Sequence, residues 1–449
     1  MVKIKLFLCF LVGSLTFVYG QLNVPDSLEA LFYNQLAVFP QEKIYLHIDK
    51  PYYIAGETIW FRTHLVDAVT HVPAPVSRYV YVELFNMLDT LVTRIKIRND
   101  NDAYHGHLDL PDDLPAGDYT LRAYTYYMRN LDEHYFNTRQ IRIGNLKNRQ
   151  LRDETAFSYD PDEKTNMDFH FSSAVNDFDL DFYPEGGALL TGCRSRVAFK
   201  ALMSNGLPAN IAGIVCDRQG NKMDTLRTSY QGMGYFMLLP EEGMSYHVIC
   251  TDDRQQTKRF DLPEALHDGY TLSVTGRKDK IDVMVSKAAS THSNEPLYLL
   301  AHTRGRVLLA MPWEDNRDFI TFSRQEFPSG ALHFVLFNAS FHPVSERLVF
   351  INNDDQAQVS CQCDPDGFAA RSLVHNRITL TGEDGQPLSG SFSVAVTADS
   401  AVVVDTTVNI LTQLLLTSDL RGYINNPAAY FEKDNVSAAK LDLLMMMQG

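Results

Sequence analysis

The feature that most constrains this chain is an apolar alternation of period two, broken about every ten residues by Pro, Gly, Asn or Asp. Ile44, Leu46 and Ile48 alternate with Tyr45, His47 and Asp49, and Ile59, Phe61 and Leu65 with Trp60, Arg62 and His64. Val80, Val82 and Leu84 alternate with Tyr81 and Glu83, and Leu121, Ala123 and Thr125 with Arg122, Tyr124 and Tyr126. Successive strand residues point to opposite faces, so each segment can bury one face only. Short half-buried strands in series bury those faces by stacking sheets in pairs. The pattern therefore predicts an all-β chain of tandem immunoglobulin-like β-sandwiches.

The 449 residues are enough for about three to four domains. Residues 1–20 read as a signal peptide: Lys3 and Lys5 precede the apolar run Leu6–Val18, and Val18-Tyr19-Gly20 places small residues for cleavage before Gln21. Phe7 and Leu8 are too large for a lipid-attachment signal at Cys9. A short N-terminal helix and lead-in follows at 21–40, with Leu28, Leu31, Phe32 and Leu36 on one face. The expected units are sandwiches at 41–145, 177–265, 266–353 and 354–435, with a polar linker at 146–176. Residues 436–449 are an apolar C-terminal helix, expected either to dock back on a sandwich or to belong to a truncated form of a longer chain.

Two weak internal repeats support this division. A Pro-then-Gly turn precedes a strand at Pro115–Tyr124, Pro240–Ile249 and Pro328–Phe337. A Gly-x-Pro turn precedes another at Gly206-Leu207-Pro208 and at Gly385-Gln386-Pro387. Pro pre-sets the entry to a tight turn and Gly supplies its positive φ.

Forty Lys and Arg against 55 Asp and Glu give a net charge of −15. That excludes the basic stripe a nucleic-acid or anionic-lipid partner requires. The longest later apolar stretch, Val394–Leu420, is interrupted by Asp399, Asp405 and Asp419, so no transmembrane helix is expected in the mature chain. Cys193, Cys216, Cys250, Cys361 and Cys363 are too few and too irregular for a disulfide framework and read as buried small hydrophobes. A bridge within the first three is left open.

No catalytic fingerprint, P-loop or dinucleotide motif occurs, so the chain reads as a non-enzyme without cofactors. His105 and His107 share a strand face but lack further ligands, and read as a solvated pair. Asn99-Asp100-Asn101-Asp102 reads as a turn, not a calcium loop. Exposed Tyr and Arg favour interfaces, which makes Tyr124, Tyr126, Tyr127 and Arg129 the candidate partner surface.

The stretch Lys43–Arg62, with Asp49-Lys50-Pro51-Tyr52-Tyr53-Ile54-Ala55-Gly56 at its centre, resembles the MG2 domain of the α2-macroglobulin family. More broadly, residues 40–449 resemble the N-terminal half of a Bacteroidota cell-envelope family. The resemblance is carried by Phe182-Tyr183-Pro184-Glu185-Gly186-Gly187, Glu346-Arg347-Leu348-Val349-Phe350, Leu415–Ile424 and Asn426–Phe431. It implies macroglobulin-like sandwiches, with Tyr52 or Tyr53 closing a sandwich end. It also implies export to the periplasm or outer membrane and an envelope partner protein such as a TonB-dependent receptor. Longer members continue into a TonB-receptor plug-like domain. The reactive Cys-Gly-Glu-Gln of thioester macroglobulins is absent, which excludes covalent trapping. The alternative function is a non-thioester protease inhibitor with its bait in the 146–176 linker.

Overall fold

The computed structural model describes residues 24–74, 76–101, 103–146, 177–292, 295–314, 317–363, 371–398 and 400–448. The stretches expected as a signal peptide (1–20) and, from 147 onward, as a linker lie outside the described residues. No described helix is long and apolar enough to cross a membrane.

The first sandwich holds β1 (Glu42–Ile48), β2 (Tyr52–Ile54), β3 (Thr58–Asp67), β4 (Tyr79–Phe85), β5 (Leu91–Arg98), β6 (Tyr104–Asp109), β7 (Gly117–Thr125) and β8 (Asn137–Gly144). Its sheets are β1-β3-β6 and β2-β8-β7-β4-β5. The inward-facing Ile44, Leu46, Phe61, Val82, Leu121 and Ile141 meet in one core. The Asp-Lys-Pro turn closes one end: Tyr53 is buried and its hydroxyl donates to Asp49 Oδ1 at 2.7 Å.

The second sandwich holds β9 (Phe178–Pro184), β10 (Ser195–Met203), β11 (Ile211–Asp217), β12 (Lys222–Arg227), β13 (Met233–Leu238), β14 (Tyr246–Asp252) and β15 (Thr257–Asp261). The third holds β16 (Tyr270–Gly276), β17 (Lys280–Lys287), β18 (Leu297–Thr303), β19 (Arg306–Trp313), β20 (Phe319–Ser323), β21 (Gly330–Asn338) and β22 (Pro343–Ile351). Their sheets are β9-β10-β13 against β12-β11-β14-β15, and β16-β17-β20 against β19-β18-β21-β22. Setting aside the short β2, all three sandwiches share one strand order. Each Pro-then-Gly turn opens the same element, the penultimate strand: β7, β14 and β21. Tyr119 ties the first of these turns by donating to Pro115 O at 2.8 Å, and the hydroxyl of Tyr246 ties the second by accepting from Glu241 N at 2.9 Å.

Residues 354–435, expected as a fourth sandwich, show among the described residues a single antiparallel hairpin, β23 (Gln358–Cys363) with β24 (Asn376–Thr381). The chain then becomes helical at α2 (Ile410–Thr412), which runs into a π-turn at Gln413–Thr417. It ends in α3 (Asn435–Gln448). This last segment docks on the outer faces of the second and third sandwiches, where Leu416, Leu444 and Met445 pack with Ala198, Met233, Ala331 and Leu348. The N-terminal helix α1 (Val24–Val38) lies on the third sandwich, with Leu28 against Leu300, Val335 and Phe337. Leu31, expected on that apolar face, turns to solvent instead.

Cys193, Cys216 and Cys250 are buried free thiols. Cys361 and Cys363 correct the expectation of burial: both are exposed, because among the described residues no second sheet lies over the hairpin. Asp100 N donates to Ala103 O at 2.8 Å, and Asn101 has φ 49°, which makes the Asn-Asp stretch a turn.

Candidate interaction site

Alternation that sends Ile44, Leu46 and Phe61 inward sends a different set outward on the β1-β3-β6 sheet. Register aligns His47 with Arg62 and Arg62 with His105 across the three strands. It also aligns Tyr45 with His64, and Trp60 with His107. The outer face is thus a ladder of imidazole, guanidinium and aromatic groups. Trp60 is 58% exposed, and its ring centroid lies 4.9 Å from that of His107. His105 and His107 do share the face of β6, as their spacing requires.

A distant stretch, Ser391–Ala395, crosses this face. Arg62 donates to Phe392 O at 2.7 Å and also to Ser391 Oγ. Ser393 Oγ lies 2.6 Å from His47 Nδ1 and 3.1 Å from His64 Nε2. A hydroxyl can donate one hydrogen bond while accepting another, so it serves both rings. Burial lowers the pKa of both imidazoles, with His64 brought down to about 4 by burial, Arg62 and His47. Arg139 adds to the effect at His47 and Asp49 opposes it. A groove of about 590 Å³ is left between the strap and the sheet, lined by Asp49, Trp60, Arg62, Lys96, His107 and Ser393.

The Tyr and Arg set singled out from sequence divides. Tyr124 is buried, stacks on Phe136 and donates to Glu83 Oε1 at 2.7 Å. Glu83 also receives Arg94 and Arg122, and these partners hold its carboxyl below the usual range against the opposing effect of burial. Tyr126 and Arg129 are exposed and adjacent, with the guanidinium 5.4 Å from the ring centroid. Tyr127 is half-buried.

Sequence reading missed the two charge clusters that lock the sandwiches together. In the first, Asp419 of the C-terminal segment receives Lys43 Nζ at 2.8 Å and Arg304 Nε. Lys43 also donates to Leu414 O at 2.7 Å, and Arg304 to Gln41 Oε1 at 3.1 Å. In the second, Arg347 bridges Glu185 at 3.0 Å and Asp442 at 2.6 Å, and Arg196 bridges the same pair at 3.0 and 2.8 Å. Two guanidinium groups and two carboxylates close a ring joining the second sandwich, the third sandwich and α3. The detectable signal was Arg347, a cation at the strand parity of the buried Val349 and Ile351.

No family model matches the chain, and no curated protein matches it. Among solved structures it is similar to a Salmonella α2-macroglobulin reacted with methylamine, at 10% identity and TM-score 0.20 over 76% of this chain and 25% of that one. It is similar to an Escherichia coli α2-macroglobulin activated by porcine elastase, at 10% identity and TM-score 0.26 over 76% and 33%. It is also similar to dimeric latent PorU from Porphyromonas gingivalis, at 9% identity and TM-score 0.28 over 70% and 34%. The chain spans about a quarter to a third of the length of these proteins. The fold assignment rests on the sheets themselves.

Proposed function

We propose that this chain is an exported, non-catalytic protein of a Bacteroidota cell envelope. Its tandem macroglobulin-like sandwiches are clamped into one body that binds a partner protein, and the partner class we infer is a TonB-dependent receptor. The observation that supports this reading is the pair of charge clusters, the first buried and the second partly buried. Desolvating a charge is costly unless its partners are well placed. Here that cost is met where the C-terminal segment meets the sandwiches, so the clusters fix how distant surfaces face each other. Fixed mutual geometry matters to a protein whose surface is read as a whole.

The test is fractionation with site-specific photo-crosslinking. A photoreactive side chain replaces Trp60 in one strain and Tyr126 in another. The expected result is an envelope-fraction protein giving one discrete adduct at one of these positions. Recovery in the cytoplasm, or no discrete adduct from either position, overturns the reading.

A further inference from the structure

The register of the first sandwich sets its outward side chains in rows. Asp49 N donates to Trp60 O at 3.0 Å, and Trp60 pairs with His107, so Asp49, Trp60 and His107 form one row across β1, β3 and β6. His47, Arg62 and His105 form the next row, about 7 Å along the strands. The strap at 391–395 is held by His47 and Arg62 of that second row and by His64. It leaves the first row as part of the floor of the groove of about 590 Å³. That volume lies within the span of small-ligand sites, about 300–1,000 Å³.

Each member of the first row presents a different chemistry. Trp60 is 58% exposed, and the exposed His107 ring is tilted at 41° to it. Asp49 commits one oxygen to the fold, where Oδ1 accepts from the Tyr53 hydroxyl at 2.7 Å and from Trp60 N at 3.0 Å. Its Oδ2 takes no hydrogen bond from the described residues, and Asp49 lines the groove. In the second row Arg62 is half-buried and has no carboxylate partner among the described residues, its terminal nitrogens donating to Phe392 O and Ser391 Oγ. The main chain beneath Trp60 is closed, because β3 has β1 on one side and β6 on the other.

We infer that this row is a saccharide platform that takes a neutral pyranose ring of an oligosaccharide. The apolar face of the ring lies on the indole, its hydroxyls donate to Asp49 Oδ2, and its oxygens accept from the imidazole or guanidinium beside it. The mixture of charges selects this class. A cationic group suited to Trp60 and Asp49 meets Arg62 in the next row, and an acidic group suited to Arg62 meets the Asp49 carboxylate. An uncharged polyol satisfies both, because each hydroxyl donates and accepts. An extended peptide draws its affinity from an open strand edge, which a central strand does not offer. Every group named for recognition stands on the first sandwich, and the strap supplies only a wall. The inference goes beyond the partner-binding reading and does not rest on it.

The experiment screens the purified full chain on an array of neutral and acidic glycans, then titrates the best neutral glycan and its uronic-acid analogue in solution. The two tryptophans separate as reporters, since Trp60 is exposed and Trp313 is buried in the third core. The expected result is saturable binding of the neutral glycan, weaker binding of the acidic analogue, and an indole that acrylamide quenches less once the glycan is bound. By calorimetry, Trp60→Ala is expected to weaken binding about tenfold or more. Asp49→Asn keeps an amide oxygen for Tyr53 and Trp60 but turns the free acceptor into a donor. It is expected to weaken binding about fivefold or more with thermal unfolding unchanged. No neutral glycan bound, tighter binding of the acidic analogue, or affinity unchanged in either variant overturns the inference. So does a Trp60 in the free chain as shielded from acrylamide as Trp313. The adduct at Tyr126 stands or falls separately, so failure here leaves the partner reading untouched.

Discussion

Lys43 Nζ lies 2.8 Å from Asp419 Oδ2, across 376 residues of sequence, and both side chains are buried. Arg304 shares the same carboxylate, so one anion answers two cations. Burial, aided by Arg304, brings Lys43 down to about 8, while the two cations outweigh burial at Asp419 and hold its carboxyl below the usual range. Removing the anion is therefore the damaging change. Asp419→Ala is expected to cost roughly 3–5 kcal/mol, because it strands two buried cations. Urea unfolding measures it. The double variant Lys43→Met with Asp419→Leu is expected to recover part of that loss, and no recovery would contradict the account.

Gly186 and Gly187 offer a paired test of the joint between the second and third sandwiches. Both have positive φ, 83° and 93°. A Cβ on Gly186 would fall 2.3 Å from Thr271 Oγ1 and 2.8 Å from Leu272 O, whereas one on Gly187 meets nothing within 4 Å. Gly187→Ala then carries only the conformational cost, about 1 kcal/mol, and Gly186→Ala is expected to lose at least about 3 kcal/mol. Equal midpoints in thermal unfolding would show that the joint is loose.

Much of this fold was legible because alternation and turn chemistry are local. The three Pro-then-Gly turns mark the same strand in each sandwich, and His47, Trp60, Arg62 and His105 face outward as their parity demands. What was not legible was long-range. Tyr124 sits at an outward parity that ordinarily means solvent, yet Glu83, Arg94 and Arg122 gather over it and Phe136 closes the stack. Lys43 is also at an outward parity and is buried only because Leu414 and Asp419 come back across it. Local pattern fixes which way a side chain points but is silent on what arrives later to cover it.

Thiol accessibility separates the finished sandwiches from the open hairpin. Cys361 and Cys363 are exposed, whereas Cys193, Cys216 and Cys250 are buried, and burial pushes the Cys250 thiol up to about 11. A maleimide reagent at neutral pH is expected to modify two described cysteines quickly and the other three only on unfolding, because the thiolate is the reactive form. Mass spectrometry of digests reads the sites. Rapid modification at Cys250 would place the second core elsewhere.

The strap over the first sandwich is expected to loosen in acid. His47 and His64 are more basic when released than when docked, since burial is the leading cause of their lowered pKa and the strap's share of that burial is lost on release. The released state therefore binds more protons as pH falls. Docking is at full strength above the usual imidazole pKa of 6.5 and weakens progressively from there towards pH 4, where docked His64 itself titrates. Amide exchange at Ser391–Val396, corrected for its intrinsic pH dependence, should rise between pH 7.5 and pH 5 while the core strand β7 stays protected. Replacing both imidazoles, His47→Gln with His64→Gln, should flatten that dependence, because amide side chains still reach Ser393 but do not titrate. A strap whose corrected exchange is the same at both pH values would mean that Arg62, not the imidazole pair, holds it.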